Sequence, residues 1–267
     1  MYQTIITSLD QLKIAEWNFQ TVLLLFLANL LFVTIFRFLF PCLLVETLSR
    51  IFPAAFTKKR IQTKVPDYKQ KNHEIKYSLQ SCISYSIILL ILESMTRFNL
   101  ANIYTNIDSP WELTYTVLSI PIALLIHDFY FFWTHKLLHT KFFYLRVHRI
   151  HHFSSNPTVW AMQSLHPVEG LLQGLCVPLL FWILPWYPVV FLVYLNLLTY
   201  FDVIAHSGYE FRNFKYIPKL ISSFVTSSSY HNLHHQHPNY QFGLLTRFWD
   251  KLFKSEHESY QKIIDES

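Results

Sequence analysis

From Gly170 to Phe201 the chain runs for thirty-two residues without a charged side chain. A helix rises about 1.5 Å per residue, so about twenty residues cross the roughly 30 Å apolar core of a bilayer. The run is too long for one crossing and short for two. Pro185-Trp186-Tyr187-Pro188 divides it in the middle, and closely spaced prolines break helices. The run therefore reads as a helical hairpin with its apex at Trp186, where tryptophan and tyrosine favour the membrane interface. A hairpin returns the chain to the side it left.

Three further apolar runs fit the same solvent. Trp17 to Phe36 is twenty residues without a charge; Arg37 breaks the run, and Phe38 to Val45 continues it at the interface. Tyr77 to Leu92 and Leu113 to Ile126, the latter interrupted by Pro121, supply two more. Only 15% of the residues are charged, against about 25% in soluble domains, and this decides for one membrane-embedded unit. The expected fold class is all-α: an integral membrane helical bundle of about four transmembrane segments, one pair of them a Pro-broken hairpin, under a His-rich helical cap. Its parts are an N-terminal membrane anchor over 1–114 with a basic loop or helix at 57–76, a histidine-bearing domain over 115–254, and a polar, frayed tail over 255–267. Residues 1–16 form an amphipathic lead-in without the basic region and cleavage site of a signal peptide. In this topology only Lys13 and Arg97 lie on the far side, and the other twenty of the twenty-two Lys and Arg share the histidine side. By the positive-inside rule that side is the cytosol, of an endoplasmic reticulum or a bacterial inner membrane. The net charge of +5, without a nucleic-acid motif, reads as a membrane-surface signal. Cys42, Cys82 and Cys176 read as small core residues.

Six of the fourteen histidines fall between His127 and His152. His135 and His139 are four apart, on one helical face. His148, His151 and His152 form an HxxHH cluster, with 148 and either 151 or 152 near one face, and His231, His234 and His235 form another. Neutral imidazole is the commonest metal ligand among side chains, and this many suit iron, zinc, copper or nickel better than calcium or magnesium. A single histidine on an apolar face is ordinarily a hydrogen-bonded core residue, but three spaced groups in one chain are not. They are expected to converge on two metal ions at the membrane surface. His206 and Glu210, in HSGYE, are candidates to complete the coordination, with Asp202 a weaker one. Asp128, two turns before His135, is expected to accept an imidazole N–H, or else to be a helix-end charge. His166, in SLHPVEG, is a ligand or a cap, leaning to the structural role. His237 should lie outside the metal site, and His73 and His257 should be solvated. The aromatic residues Phe129, Tyr130, Phe131, Phe132, Trp133, Phe142, Phe143 and Tyr144 are candidates to line a lipid slot. A bis-histidine haem b protein and a non-catalytic metal-binding scaffold or transporter are the readings outside this class. The first would place isolated histidines within the spans, the second ionisable residues along a path through them.

The segments HDFYFFWTHKLLH, HRIHH, NPTVWAMQSLHPVEGLLQ, HSGYE and HNLHH followed by NYQFGLLTRFWDKLF resemble the fatty acid hydroxylase / sterol desaturase superfamily of membrane oxygenases, over about residues 115–254. SLHPVEG is most similar to the C-5 sterol desaturase type, and HSGYE to C-4 methylsterol oxidases. The resemblance implies a di-iron centre (zinc being possible in a purified sample), O₂ as co-substrate, and an electron donor such as cytochrome b5 with its reductase, or a ferredoxin. It implies hydroxylation or desaturation of a sterol or related lipid in lipid biosynthesis, with a fatty-acyl or alkylglycerol hydroxylase as the alternative. The implied metal ligands are His135, His139, His148, His151, His152, His231, His234 and His235, with His206 added. Glu210 stands where some relatives carry a histidine.

Overall fold

The computed structural model describes residues 17–64, 66–211, 221 and 224–266, the last three by backbone alone. The lead-in over 1–16, with Lys13, lies outside them. Among the described residues four helices are long and apolar enough to cross a membrane: Phe19–Ile51, Tyr68–Arg97, Pro110–Leu138 and Pro188–His206. The first comprises α1 (Phe19–Phe32), a π-helical segment (Val33–Leu39) and α2 (Phe40–Ile51). Arg37 thus does not end the first span. The helix widens around it and runs on for twelve residues, because Arg37 turns inward, where its Nε–H donates to Thr199 Oγ1 at 3.2 Å. Phe19, Leu24, Leu31 and Phe36 on the outward face are exposed, as side chains that meet lipid.

After the short α3 (Pro53–Thr57), α4 (Tyr68–Arg97) opens on Asp67, whose carboxylate accepts from Gln70 N–H at 2.8 Å. The third span, α5 (Pro110–Leu138), begins with a capping box, Ser109 and Glu112 satisfying each other's backbone N–H, and with Pro110 in the first turn. Pro121 lies inside it without ending it. Then come α6 (Lys141–Arg146), two 3₁₀ turns (His148–Phe153 and Val159–Ala161), and the expected hairpin. The hairpin's first arm is α7 (Pro167–Gly174) with α8 (Cys176–Ile183), and its second is α9 (Pro188–His206). Trp186 is at the apex but is 1% exposed. It stacks on Phe181, its Nε1–H donates to Leu180 O, and its backbone pairs with Asn102 and Tyr104 of the α4–α5 loop. The apex therefore meets the far-side loop, and burial there replaces the expected interfacial position.

Close approach holds the first arm. Gly170 and Gly174 face α4 so tightly that an added Cβ would lie 3.0 Å from Ser84 Cβ and 2.7 Å from Ile88 Cγ1. Small residues four apart let helices meet where lipid offers no hydrophobic drive. Ser78, Ser81 and Ser84 of α4 donate to the carbonyls of Trp160, Leu165 and Pro167, which fixes the chain entering the hairpin.

The histidine end is closed by α10 (Ser228–Gln236), α11 (Phe248–Leu252) and α12 (Glu258–Glu266). The tail is thus not frayed. Tyr260 is fully buried, with its ring against Tyr230 and its hydroxyl hydrogen-bonded to Ser227. Trp17 packs on Phe98 at the opposite end, so the first span starts there and delivers the basic 58–76 stretch to the histidine end.

Candidate metal centre

All nine histidines singled out as ligands converge. His135, His139, His148, His152 and His234 form one group and His151, His206, His231 and His235 a second, with the ligand atoms of each group within 4.8 Å of one another. Each HxxHH motif is divided between the groups. His148 and His152, four apart, serve the first while His151 serves the second. His231 and His235 serve the second while His234 serves the first. The two groups adjoin, His152 and His235 having ring centroids 4.9 Å apart.

The rings are fixed from behind. His135 Nδ1–H donates to Phe242 O at 2.8 Å, His234 to Tyr240 O at 2.6 Å, His235 to Ser154 O at 2.8 Å and His206 to Asp202 O at 2.8 Å. A carbonyl only accepts, so Nδ1 carries the proton and Nε2 is a bare lone pair. Yet the Nε2 atoms crowd together. Those of His206 and His235 lie 2.9 and 3.2 Å from His231 Nε2, and that of His135 lies 3.2 Å from His148 Nε2 and 3.3 Å from His139 Nε2. One proton on His231 can serve only one of its two neighbours. Metal–nitrogen bonds of about 2.1 Å put neighbouring ligand atoms about 3.0 Å apart at right angles and about 3.4 Å apart in a tetrahedron. The spacings are those of two coordination shells, and the donor set fits a borderline transition metal. Burial, and then the charge of neighbouring rings, holds His148, His151, His152, His231, His234 and His235 well below the ordinary imidazole pKa, and His139 is lowered in the same way. Neutral rings are the ligating form.

The remaining candidates stand elsewhere. Asp128 does not reach an imidazole. Its carboxylate accepts from Leu245 N–H (2.8 Å), Thr246 N–H (3.1 Å) and the Thr246 hydroxyl (2.5 Å), because the 242–246 loop, not a histidine, lies against that face of α5. Glu210 joins neither group, since its carboxylate accepts from Ser229 N–H in the first turn of α10. His166 is the N-cap of α7, its Nδ1 accepting from Val168 N–H. His73 is not simply solvated. It hydrogen-bonds Ile150 O and stacks on Phe153, bracing the first HxxHH turn. His257 stacks on His237 outside both groups.

Two carboxylates essential to this geometry were not evident from spacing. Glu169 receives His148 Nδ1–H at 2.7 Å with both side chains buried. It lies inside SLHPVEG, where an acid beside a proline reads as first-turn helix chemistry. Asp250, fully buried in WDKLF, accepts from Phe242 N–H, Gly243 N–H, the Tyr230 hydroxyl and the Ser255 hydroxyl. It thereby holds the loop whose carbonyls orient His135 and His234. Gly243 is required there, because a Cβ would fall 2.4 Å from Thr246 O.

Below the rings a cavity of about 100 Å³ opens between the spans and is reached by His135 and His148 of one group and His151, His206 and His231 of the other. Of the eight aromatic residues expected to line a slot, only Phe131 does so. It is four residues before His135 and shares its face. Phe129, Phe132 and Trp133 pack instead on Trp249 and Phe253.

Residues 120–255 match the family described as Fatty acid hydroxylase. The chain belongs to that family. Among relatives within the wider group, human "Lathosterol oxidase" is 29% identical over 184 residues, 68% of this chain and 60% of that protein. The Schizosaccharomyces pombe "Delta(7)-sterol 5(6)-desaturase erg31" is 29% identical over 153 residues, 57% of this chain and 48% of that one. An Aspergillus fumigatus "Delta(7)-sterol 5(6)-desaturase erg3B" is 27% identical over 240 residues, 88% and 68% of the two chains. The chain thus spans about 60% of the length of the first of these relatives. No solved structure matches. Both histidine groups draw on residues inside the matched fatty acid hydroxylase region.

Proposed function

We propose that this protein is an integral-membrane, O₂-dependent oxidoreductase that hydroxylates or desaturates a sterol or related lipid, with an iron ion held by each histidine group. His135, His139, His148, His152 and His234 hold one ion, and His151, His206, His231 and His235 hold the other. Iron in such a shell supplies activation of O₂ for attack on an unactivated C–H bond. The observation that carries this reading is the set of Nε2 atoms at coordination spacing, opening onto a cavity between membrane spans. The relatives' names support a sterol as substrate.

The chain's own residues do the rest. The carbonyls of Phe242, Tyr240 and Ser154 and the carboxylate of Glu169 hold the tautomer in which Nε2 is free. Spans α4, α5 and α9 wall the cavity, so a lipid enters from the bilayer while bulk water is kept away. At about 100 Å³ the void admits the reacting part of a lipid, since pockets that enclose whole ligands run to about 300–1,000 Å³. The basic stretch at the histidine end supports a cytosolic site, where a soluble-domain donor of the cytochrome b5 or ferredoxin kind delivers electrons.

The test is metal stoichiometry with turnover. The purified full-length protein should bind two irons and, with a reductase system, oxidise lathosterol. His148→Ala and His231→Ala should each bind about one iron and lose turnover. Two irons retained in both variants, or full activity in either, would overturn the assignment.

A further inference from the structure

The cavity below the histidines carries charge where the span composition leaves least reason for it. Arg37 and Asp202 both line it, and so does Tyr85. Arg37 sits in the π-helical segment, a rare geometry that recurs at functional sites. Its hydrogen bond to Thr199 places it about 10 Å from the histidine end, because Thr199 is seven residues before His206 on α9. An ionisable group at that depth is costly unless paired. Yet among the described residues the Nε–H to Thr199 is the only hydrogen bond made by the Arg37 side chain, and it makes no ion pair. Asp202 follows Thr199 by three residues on α9 and lines the same cavity, and among the described residues its carboxylate meets only His206 of its own helix. The Tyr85 hydroxyl has no hydrogen-bond partner among the described residues, and Tyr85 lines the cavity.

We propose that Arg37, Tyr85 and Asp202 form a subsite for a hydroxyl group of the lipid substrate. The guanidinium donates to the hydroxyl oxygen, the carboxylate accepts its hydrogen, and Tyr85 completes the contact from α4. A hydroxyl both gives and takes, which matches a cation and an anion that share a cavity without joining. A fatty acid matches less well, because its carboxylate would satisfy Arg37 and be repelled by Asp202. The subsite fixes one end of the lipid and so selects the carbon presented to the histidines. It rests on the oxygenase reading above and narrows its substrate to a neutral hydroxylated lipid.

The test is equilibrium binding to the full-length protein in nanodiscs, with lathosterol, its 3-deoxy analogue and palmitate as probes. The wild type should prefer lathosterol to the deoxy analogue by about ten-fold or more, the size expected for hydrogen bonds to charged groups. Arg37→Met and Asp202→Asn should reduce that ratio below about three-fold. Binding of the deoxy analogue and iron content should stay unchanged. Tyr85→Phe, which removes a single oxygen, should lower the ratio by about two- to five-fold, and it keeps the subsite testable if Arg37→Met fails to fold. An undiminished preference in the variants that fold overturns the subsite. So does a wild type that oxidises lathosterol without preferring it to the deoxy analogue, a result that leaves the oxygenase reading standing. A wild type that oxidises no sterol, or that prefers palmitate, removes both.

Discussion

Glu169 shows how one residue outside the metal groups governs one inside. Its carboxylate is the acceptor for His148 Nδ1–H, and with it gone nothing fixes which nitrogen of that ring is bare. Carboxylates behind ligating imidazoles are worth about 10–100-fold in metal affinity. Glu169→Ala should weaken the first group's metal by about that factor in a chelator competition, while Glu169→Gln, whose amide oxygen still accepts, should stay within a few-fold. Equal losses in the two variants would mean that Glu169 acts by packing alone. Asp250 is the counterpart behind His135 and His234. Asp250→Ala leaves four buried donors without an acceptor, at about 1–3 kcal/mol each. It should lower Tm sharply and release metal from the first group before the second, as seen by metal analysis during thermal melting. The histidines were legible in the sequence because their spacing is a pattern and composition does not make such patterns by chance. Glu169, Asp250 and the true partner of Asp128 were not, because a carboxylate's role depends on which backbone N–H groups a distant loop brings to it, and one chain carries no spacing signal for that.

At the scale of elements, the site depends on how α7 docks. The pair Gly170 and Gly174 sets its distance from α4 and so places Glu169 behind His148. Gly174→Leu must push the helices apart, since even a Cβ would meet Ile88 at 2.7 Å. Overpacking of this kind costs about 1–3 kcal/mol. The expected outcome is a Tm several degrees lower and weaker metal in the first group, with Gly174→Ala intermediate. Helix identity and the hairpin were readable from uncharged runs and prolines. The π-helical segment and the continuation of the first span past Arg37 were not. A charge reads as the end of a span when only hydropathy is visible, and Arg37's hydrogen-bond partner, Thr199, comes from α9, over 160 residues away. The division of each HxxHH motif was half legible. A spacing of four fixes one pair on a face, but whether 151 or 152 joins His148 depends on a 3₁₀ turn that the sequence does not announce.

Over the whole molecule, the two histidine groups make the stability of the fold depend on pH. Seven rings beyond the spans, His139, His148, His151, His152, His231, His234 and His235, are held below their ordinary value of 6.5, first by burial and then by one another. An unfolded chain takes up protons on these rings as pH falls through about 6.5, and the folded chain does so only at lower pH. The unfolded state therefore binds more protons in that interval, and stability is full above pH 6.5 and lost progressively below it. Each such ring adds a slope of up to about 1.4 kcal/mol per pH unit, so several together make the loss steep. Metal takes up the same bare lone pairs in the folded state and adds stability to it. Tm measured from pH 8 to pH 5 should be flat above about 6.5 and fall steeply below it. Iron-loaded protein should melt higher than chelator-treated protein at each pH, with the fall beginning near the same pH in both. A Tm that is level across the whole range in both forms would mean that the rings are not packed together in the way that brings their Nε2 atoms within coordination distance.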